Sequence, residues 1–160
     1  MSYKSSDEWA VALTWMVLPA GRAWQKAAGA ALERFGVSLS VAAPILVVAR
    51  MGNGVQQKVI AYEAGIDEAA VVRSVDQLER DGLLLRKPDP GDGRAKTIHL
   101  TPKGRGLVRK LDKVIRDLRD DLLREISQKD GMAAVRVLRE LERGANRNLS
   151  GSIQPAEGNP

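Results

Sequence analysis

The 160 residues predict a mainly helical fold with one small antiparallel β hairpin, on three observations. Apolar residues recur at helical spacing at both ends of the chain. Two short helical runs meet at Gly65, with Asp67 placed to cap the second. The breaker-rich stretch Pro88 to Gly93 then separates Leu83 to Lys87 from the alternating Thr97, Ile98, His99 and Leu100, the pattern of a hairpin with a loose, charged tip.

The first segment carries Trp9, Leu13, Met16, Ala20, Ala23, Ala27 and Ala31 on one helical stripe. Val11, Trp15, Leu18 and Arg22 lie on a second stripe, so this helix needs apolar partners on two sides. Pro19 is expected to kink or break it, because proline removes one backbone donor. The run Ala27 to Ala31, small throughout, permits close helix packing within the chain or against another subunit.

In the middle segment Ala61, Gly65 and Val71 supply the small residue, sharp turn and apolar back-contact that a helix-turn-helix needs. Val71, Val75 and Leu78 share the inward face of its second helix. Ala69, Ala70, Arg73, Ser74, Gln77 and Arg80 turn outward, where small residues allow close approach to a groove and Arg73 and Gln77 offer hydrogen bonds to bases or phosphates. The bland reading of the same face is a solvated helix surface. In the hairpin tip Asp92, Arg94 and Lys96 are candidates for minor-groove and backbone contact, with Asp92 restraining the arginine.

Thr101-Pro102 reads as a helix start, and Leu107, Leu111, Val114, Leu118, Leu122 and Ile126 continue as the stripe of a rod of about 25 residues. Ser127-x-x-Asp130 resembles a capping box for a last helix holding Ala134, Val135, Leu138 and Leu141. The polar, Gly-, Asn-, Ser- and Pro-rich chain from Gly144 onward predicts a disordered tail.

Composition narrows the function classes. The length and 44% hydrophobic content suit one compact folding unit. The formal charge of +5 is uneven, with three bases against six acids in 55–81 but eight bases against two acids in 82–110. The cationic excess therefore lies in the hairpin and the start of the next helix, where phosphates would be met. The absence of cysteine excludes disulfides and thiol redox sensing. His99 is the only histidine, too few ligands for a metal site, and no cofactor is expected. No nucleophile–base set or phosphate loop is visible, and Pro90-Gly91-Asp92-Gly93-Arg94 lacks the Gly-Lys-Ser/Thr ending of a P-loop, so no enzyme is expected. Asp7 and Glu8 precede the apolar run Trp9 to Ala20, which is too short to span a bilayer and lacks the basic start of a secretory signal. A cytoplasmic protein without a membrane partner is the expectation.

The stretch IAYEAGIDEAAVVRSVDQLERDGLLLRKPDPGDGRAKTIHLTPKG resembles the winged helix-turn-helix core of the MarR family of bacterial transcription regulators. The matching motifs are Leu78-Glu79 followed by Asp81-Gly82-Leu83, Asp92-x-Arg94 in the wing, and Leu100-Thr101-x-x-Gly104. Gly93 stands where many members carry a further arginine, and Ile60-Ala61 replaces the common Leu-Ala pair. The resemblance extends more weakly over about residues 8 to 145. It implies a winged helix-turn-helix with long terminal dimerisation helices: a first helix within 1–36, the DNA-binding region in 37–100, closing dimerisation helices in 101–145 and a tail in 146–160. It further implies a homodimer that binds double-stranded DNA at a palindrome, more often a repressor, released by a small aromatic or phenolic acid. Trp15 and Arg22, two turns apart on one stripe, are the candidates to stack on that acid and pair with its carboxylate. Packing of Trp15 at a subunit interface is the structural alternative. A winged-helix module that contacts protein instead of DNA is the alternative function.

Overall fold

The computed structural model describes residues 7–92 and 95–151, the last two by backbone alone. Its elements run α1 (Glu8–Arg34), α2 (Leu39–Met51), β1 (Val55–Gln56), α3 (Gln57–Ala64), α4 (Glu68–Arg80), β2 (Leu84–Pro88), β3 (Lys96–Leu100), α5 (Pro102–Leu122) and α6 (Gln128–Gly151). The fold is mostly helical with a three-stranded antiparallel sheet in the order β1-β3-β2. Contacts divide the chain into two compact units, Met1–Arg119 and Asp120–Pro160, where one unit was expected. The division falls near the end of α5, whose last buried residue is Leu111.

The first unit is built on a core that every one of its helices supplies. Leu32 of α1, Ile45 and Val48 of α2, Ile60 of α3, and Leu111 of α5 are all fully buried. Val71, Val75 and Leu78 complete it from α4, as their spacing predicts, each burial stabilising by about 1.5–3 kcal/mol. Between α3 and α4 the chain turns on Gly65, whose φ of +65° is left-handed and favours glycine. The N–H of Ile66 then closes the turn on the Ala61 carbonyl at 3.2 Å. Asp67 caps α4, its Oδ1 accepting from the Ala70 N–H at 2.8 Å.

The hairpin pairs Leu84 with Leu100, Arg86 with Ile98 and Pro88 with Lys96. The two-residue β1, which periodicity cannot reveal, pairs Val55 with Ile98 on the far edge of β3. Asn53 fixes this edge by accepting the Leu100 N–H on its Oδ1 at 2.9 Å.

Three helix boundaries differ from the sequence expectation. Pro19 does not break α1, which continues from Glu8 to Arg34. The Trp15 carbonyl that loses its ladder partner lies on an exposed turn, where water can satisfy it. The rod of α5 stops at Leu122, before the expected Ile126, and α6 begins after Ser127, whose hydroxyl accepts the Asp130 N–H at 3.1 Å and donates to the Asp130 carboxylate at 2.7 Å. Helix α6 then passes Gly144 and continues to Gly151, because Glu140–Arg143 pairing and straight-chain residues sustain it past one glycine. Residues 152–160 of the expected tail lie outside the described residues.

The joint between α4 and α5 is set by a steric requirement. A Cβ on Gly104 would stand 2.1 Å from the Leu83 carbonyl oxygen, so only glycine allows α5 to start against this backbone. Thr101 lies in the same joint, its Oγ1 2.7 Å from the Gly82 carbonyl and accepting the Gly104 N–H at 3.0 Å. Helix propensity alone predicts that Gly104→Ala stabilises α5 by about 1 kcal/mol. The clash predicts the opposite sign, a loss of about 1–3 kcal/mol from overpacking, visible as a lowered melting temperature in circular dichroism.

Candidate nucleic-acid interface

The outward face of α4 is presented as the sequence predicts. Ala69, Arg73 and Gln77 are exposed at four-residue spacing, with Ala70 and Ser74 half-buried beside them. Gln77 is held by a network along the helix surface: its Nε2 donates to both Asp81 carboxylate oxygens at 3.0 and 3.1 Å, while its Oε1 accepts from Arg80 at 2.7 Å. The amide is thereby oriented before any partner arrives, and reading a base requires it to exchange these bonds.

The position of the wing relative to α4 is set by Arg86, a residue sequence reasoning did not select. Its guanidinium, 15% exposed, donates to Asp76 Oδ1 at 2.5 Å and Glu79 Oε2 at 2.5 Å. Its backbone N–H donates to Glu79 Oε1 at 3.0 Å. Together these bonds join one turn of α4 to the third residue pair of the hairpin, Arg86 and Ile98. They also account for the acidity of this segment, since two of its carboxylates are neutralised from the wing side. The Arg86 backbone donor is the first cause holding the Glu79 carboxyl below its ordinary value of 4.5, assisted by the guanidinium and opposed by burial. Burial pushes the Arg86 guanidinium down, and the two carboxylates outweigh it, leaving it raised. A signal for Arg86 existed: it repeats the inward phase of Leu84 at strand period two.

Where the hairpin enters its tip, Asp89 is the organising residue. Its Oδ2 accepts from Gln56 Nε2 at 2.8 Å and its Oδ1 from the Gly91 N–H at 2.9 Å, tying the wing to β1. Asp92 and Lys96 are exposed on the tip, and the Asp92 carbonyl accepts the Ala95 N–H at 2.9 Å. Arg94 lies outside the described residues. His99 contacts the Thr97 hydroxyl at 2.9 Å, and burial, with Lys87 nearby, lowers its pKa. No group of His, Asp or Glu among the described residues is arranged to hold a metal.

Trp15 and Arg22 are exposed on α1, and Trp15 walls a shallow depression with Glu8, Val11 and Ala12. A deeper cavity of about 490 Å³ lies elsewhere, walled by Trp24 and Gln25 of α1, Ser40 and Leu46 of α2, and Gly65 and Ile66 of the helix-turn-helix turn. Glu63 also faces it, paired to Arg50. No single helix among the described residues is long and apolar enough to cross a membrane.

A capped reading helix packed on a shorter helix through a glycine turn, with a three-stranded sheet clamped to its side, defines a winged helix-turn-helix protein. Residues 35–95 match the model of the MarR family. The solved structure of transcriptional regulator PA3341 superposes with a TM-score of 0.76 at 26% identity, over 84% of this chain and 98% of that one. A MarR-family transcriptional regulator from Rhodococcus sp. RHA1 superposes at 0.69 with 26% identity, over 88% and 96%. CouR from Rhodococcus jostii RHA1, solved bound to p-coumaroyl-CoA, has the same fold at 0.68 and 22% identity, over 88% and 95%. Over residues 35–95 the chain is similar to the MarR family, and its fold is that of the transcriptional regulators on which it superposes.

The Arg86 clamp carries a pH signature. Because the folded Glu79 pKa is depressed, its contribution is fully present above the ordinary value of 4.5 and is lost as pH falls through the lower folded value. Arg86→Met should therefore destabilise by about 1–2 kcal/mol at pH 7, discounted for the part-exposed carboxylates. The gap from wild type should narrow progressively as pH falls below 4.5 in urea titrations.

Proposed function

We propose that this chain is a ligand-responsive repressor that binds a palindromic operator as a homodimer and is released by a small aromatic or phenolic acid. The observation that carries the DNA reading is the exposed row Ala69, Arg73 and Gln77 on a helix whose opposite face is fully buried and whose wing is clamped by Arg86. In this reading Arg73, Ser74 and Gln77, with Ala69 and Ala70 allowing close approach, enter the major groove. Arg94 reaches the minor groove, with Asp92 beside it and Lys96 on the adjacent backbone. Random-sequence duplex titrated at two salt concentrations tests it, because phosphate contacts must weaken as counterions compete. Arg94→Ala and Arg73→Ala should each lower the salt slope by about one. Gln77→Ala should instead change the preferred bases in a binding-site selection, by about 1–3 kcal/mol at the affected position. An unchanged salt slope in Arg94→Ala removes the wing from the interface. Salt-independent affinity throughout favours the protein-contact alternative.

Dimerisation is supported by apolar surface that the single chain leaves open. Trp9 and Trp15 of α1 are 69% and 77% exposed, and Met132, Val135 and Leu138 of α6 are also exposed. A two-fold pair of reading heads would match a palindromic operator. Sedimentation should give a dimer at micromolar concentration, and Trp15→Glu should shift it toward monomer and weaken palindromic DNA binding more than single-site binding. A monomeric wild type with full palindrome affinity would overturn this.

The effector reading is supported by the cavity beside Trp24, which touches α1, α2 and the helix-turn-helix turn at once. An aromatic acid there would bear on the element that aims α4, which gives ligand and DNA a shared conformational variable. Trp15 and Arg22 remain the rival site on the exposed stripe. CouR, whose structure holds p-coumaroyl-CoA, supports aromatic chemistry as the first class to screen. Tryptophan quenching by a benzoate, salicylate and hydroxycinnamate panel should disappear in Trp24→Phe if the cavity is the site, and in Trp15→Phe if the stripe is. Operator DNA should reduce affinity for the active acid by the same factor that the acid reduces DNA affinity, commonly about 5–150-fold.

A further inference from the structure

The amide proposed to read a base is already occupied in the free protein. Gln77 Nε2 lies 3.0 and 3.1 Å from the two carboxylate oxygens of Asp81, and its Oε1 accepts from the Arg80 guanidinium at 2.7 Å. A donor end facing a carboxylate and an acceptor end facing a guanidinium fix which way round the amide lies, because the flipped amide would set like against like at both ends. Each bond has an ionised partner, which makes it stronger than a bond between neutral groups.

Asp81 is an unfavourable choice for its place in the fold. It closes the carboxyl end of α4, where its N–H donates to the Gln77 carbonyl at 3.0 Å and Lys103 donates to its carbonyl at 2.8 Å. A carboxylate at that end opposes the helix macrodipole. The side chain is exposed, so no burial offsets this, and a surface Gln–Asp bond four residues apart contributes no more than the dipole takes away. The backbone at φ −77° and ψ −2° is right-handed and suits alanine or asparagine equally. An acid kept where the helix disfavours it takes its meaning from what it holds, the Gln77 amide.

We propose that Asp81 and Arg80 form an intramolecular latch that competes with DNA for Gln77 and opens for adenine alone. The inference rests on the reading of α4 as a major-groove helix. Opening takes one acceptor and one donor from the amide, and a base must return both. Adenine does so, with N7 in place of the carboxylate and N6–H in place of the guanidinium. Guanine offers two acceptors, thymine an acceptor and a methyl group, and cytosine a single donor, so each would leave one end of the amide unpaired. At those bases the latch stays shut and the amide stays satisfied. Asp81 is thus a positioning residue that lowers the gain at the matched base and removes the penalty at the others. The Lys103 bond to its carbonyl ties the latch to the first turn of α5.

A double-mutant cycle of Asp81→Ala and Gln77→Ala in the full-length protein tests it. Binding is measured on duplexes carrying each of the four bases at the position that Gln77 selects, and on random-sequence duplex. Relative to random duplex, Asp81→Ala should tighten binding to the adenine duplex by about two- to tenfold, the range of one net hydrogen bond, and weaken binding to the other three. In a Gln77→Ala background this pattern should vanish, leaving only the uniform gain from removing a negative charge. Asp81→Asn, which keeps an acceptor for Gln77, should restore most of the wild-type pattern. In the free protein, NMR relaxation should find Gln77 Nε2 ordered in wild type and mobile in Asp81→Ala. An Asp81→Ala effect equal on all four duplexes, one that persists without Gln77, a preference sharpened for another base, or equal mobility of Nε2 in both proteins would each overturn the latch. A wild type that binds no duplex, or a base preference that Gln77→Ala alone leaves unchanged, would instead overturn the reading of α4 and the latch with it, and shows before Asp81 is altered.

Discussion

Arg86 holds together helix α4 and the wing, the two parts that the proposed function sets against DNA. A reading helix and a wing attached through flexible connections would each sample many orientations, and binding would have to restrict them. Here one guanidinium spans Asp76 and Glu79, while the backbone N–H of the same residue secures Glu79 again. Three donors on one strand residue thus fix the angle between β2 and one turn of α4. Because Arg86 is mostly buried, its bonds are less screened than those of the surface pairs Arg124–Asp121 and Arg143–Glu140.

A second joint works by exclusion of volume. Helix α5 begins against the Leu83 backbone only because residue 104 lacks a side chain, and the Thr101 hydroxyl and Lys103 ammonium serve the carbonyls that α4 leaves behind at Gly82 and Asp81. The end of the reading helix is therefore capped by the start of the next helix. Displacement of α5 would be transmitted to α4 through backbone contacts, which bend less readily than side chains.

Electrostatics in this molecule are local. The segment 55–81 is acidic in sum, yet Asp76 and Glu79 are engaged by Arg86, Glu63 by Arg50, and Asp67 by the amino end of α4. What faces outward near Arg73 and Gln77 is less negative than the count implies. The cationic excess of 82–110 includes structural bases, Arg86, Lys103 and Arg105, and others, Arg109 and Lys110, on the flank of α5.

The sequence by itself determined the local elements. Period 3.6 in Val71, Val75 and Leu78, a capping aspartate before them, Gly65 at the turn, and Thr101-Pro102 at the start of α5 act over a few residues, so their effects are written in order along the chain. The outward candidates on α4 follow from the same periodicity. Helix ends were less legible: α1 passes Pro19, and α6 passes Gly144, because one unfavourable residue is outweighed by its neighbours. Only the tertiary structure decided the rest. Strand β1 is two residues long and exists because β3 offers it an edge; Arg86 finds its acids seven and ten residues away; Gly104 is required by a carbonyl of another element. The walls of the cavity beside Trp24 likewise converge from helices and turns far apart in sequence. Such features arise where separate segments meet in space, and the energy that selects them appears only after the chain has folded.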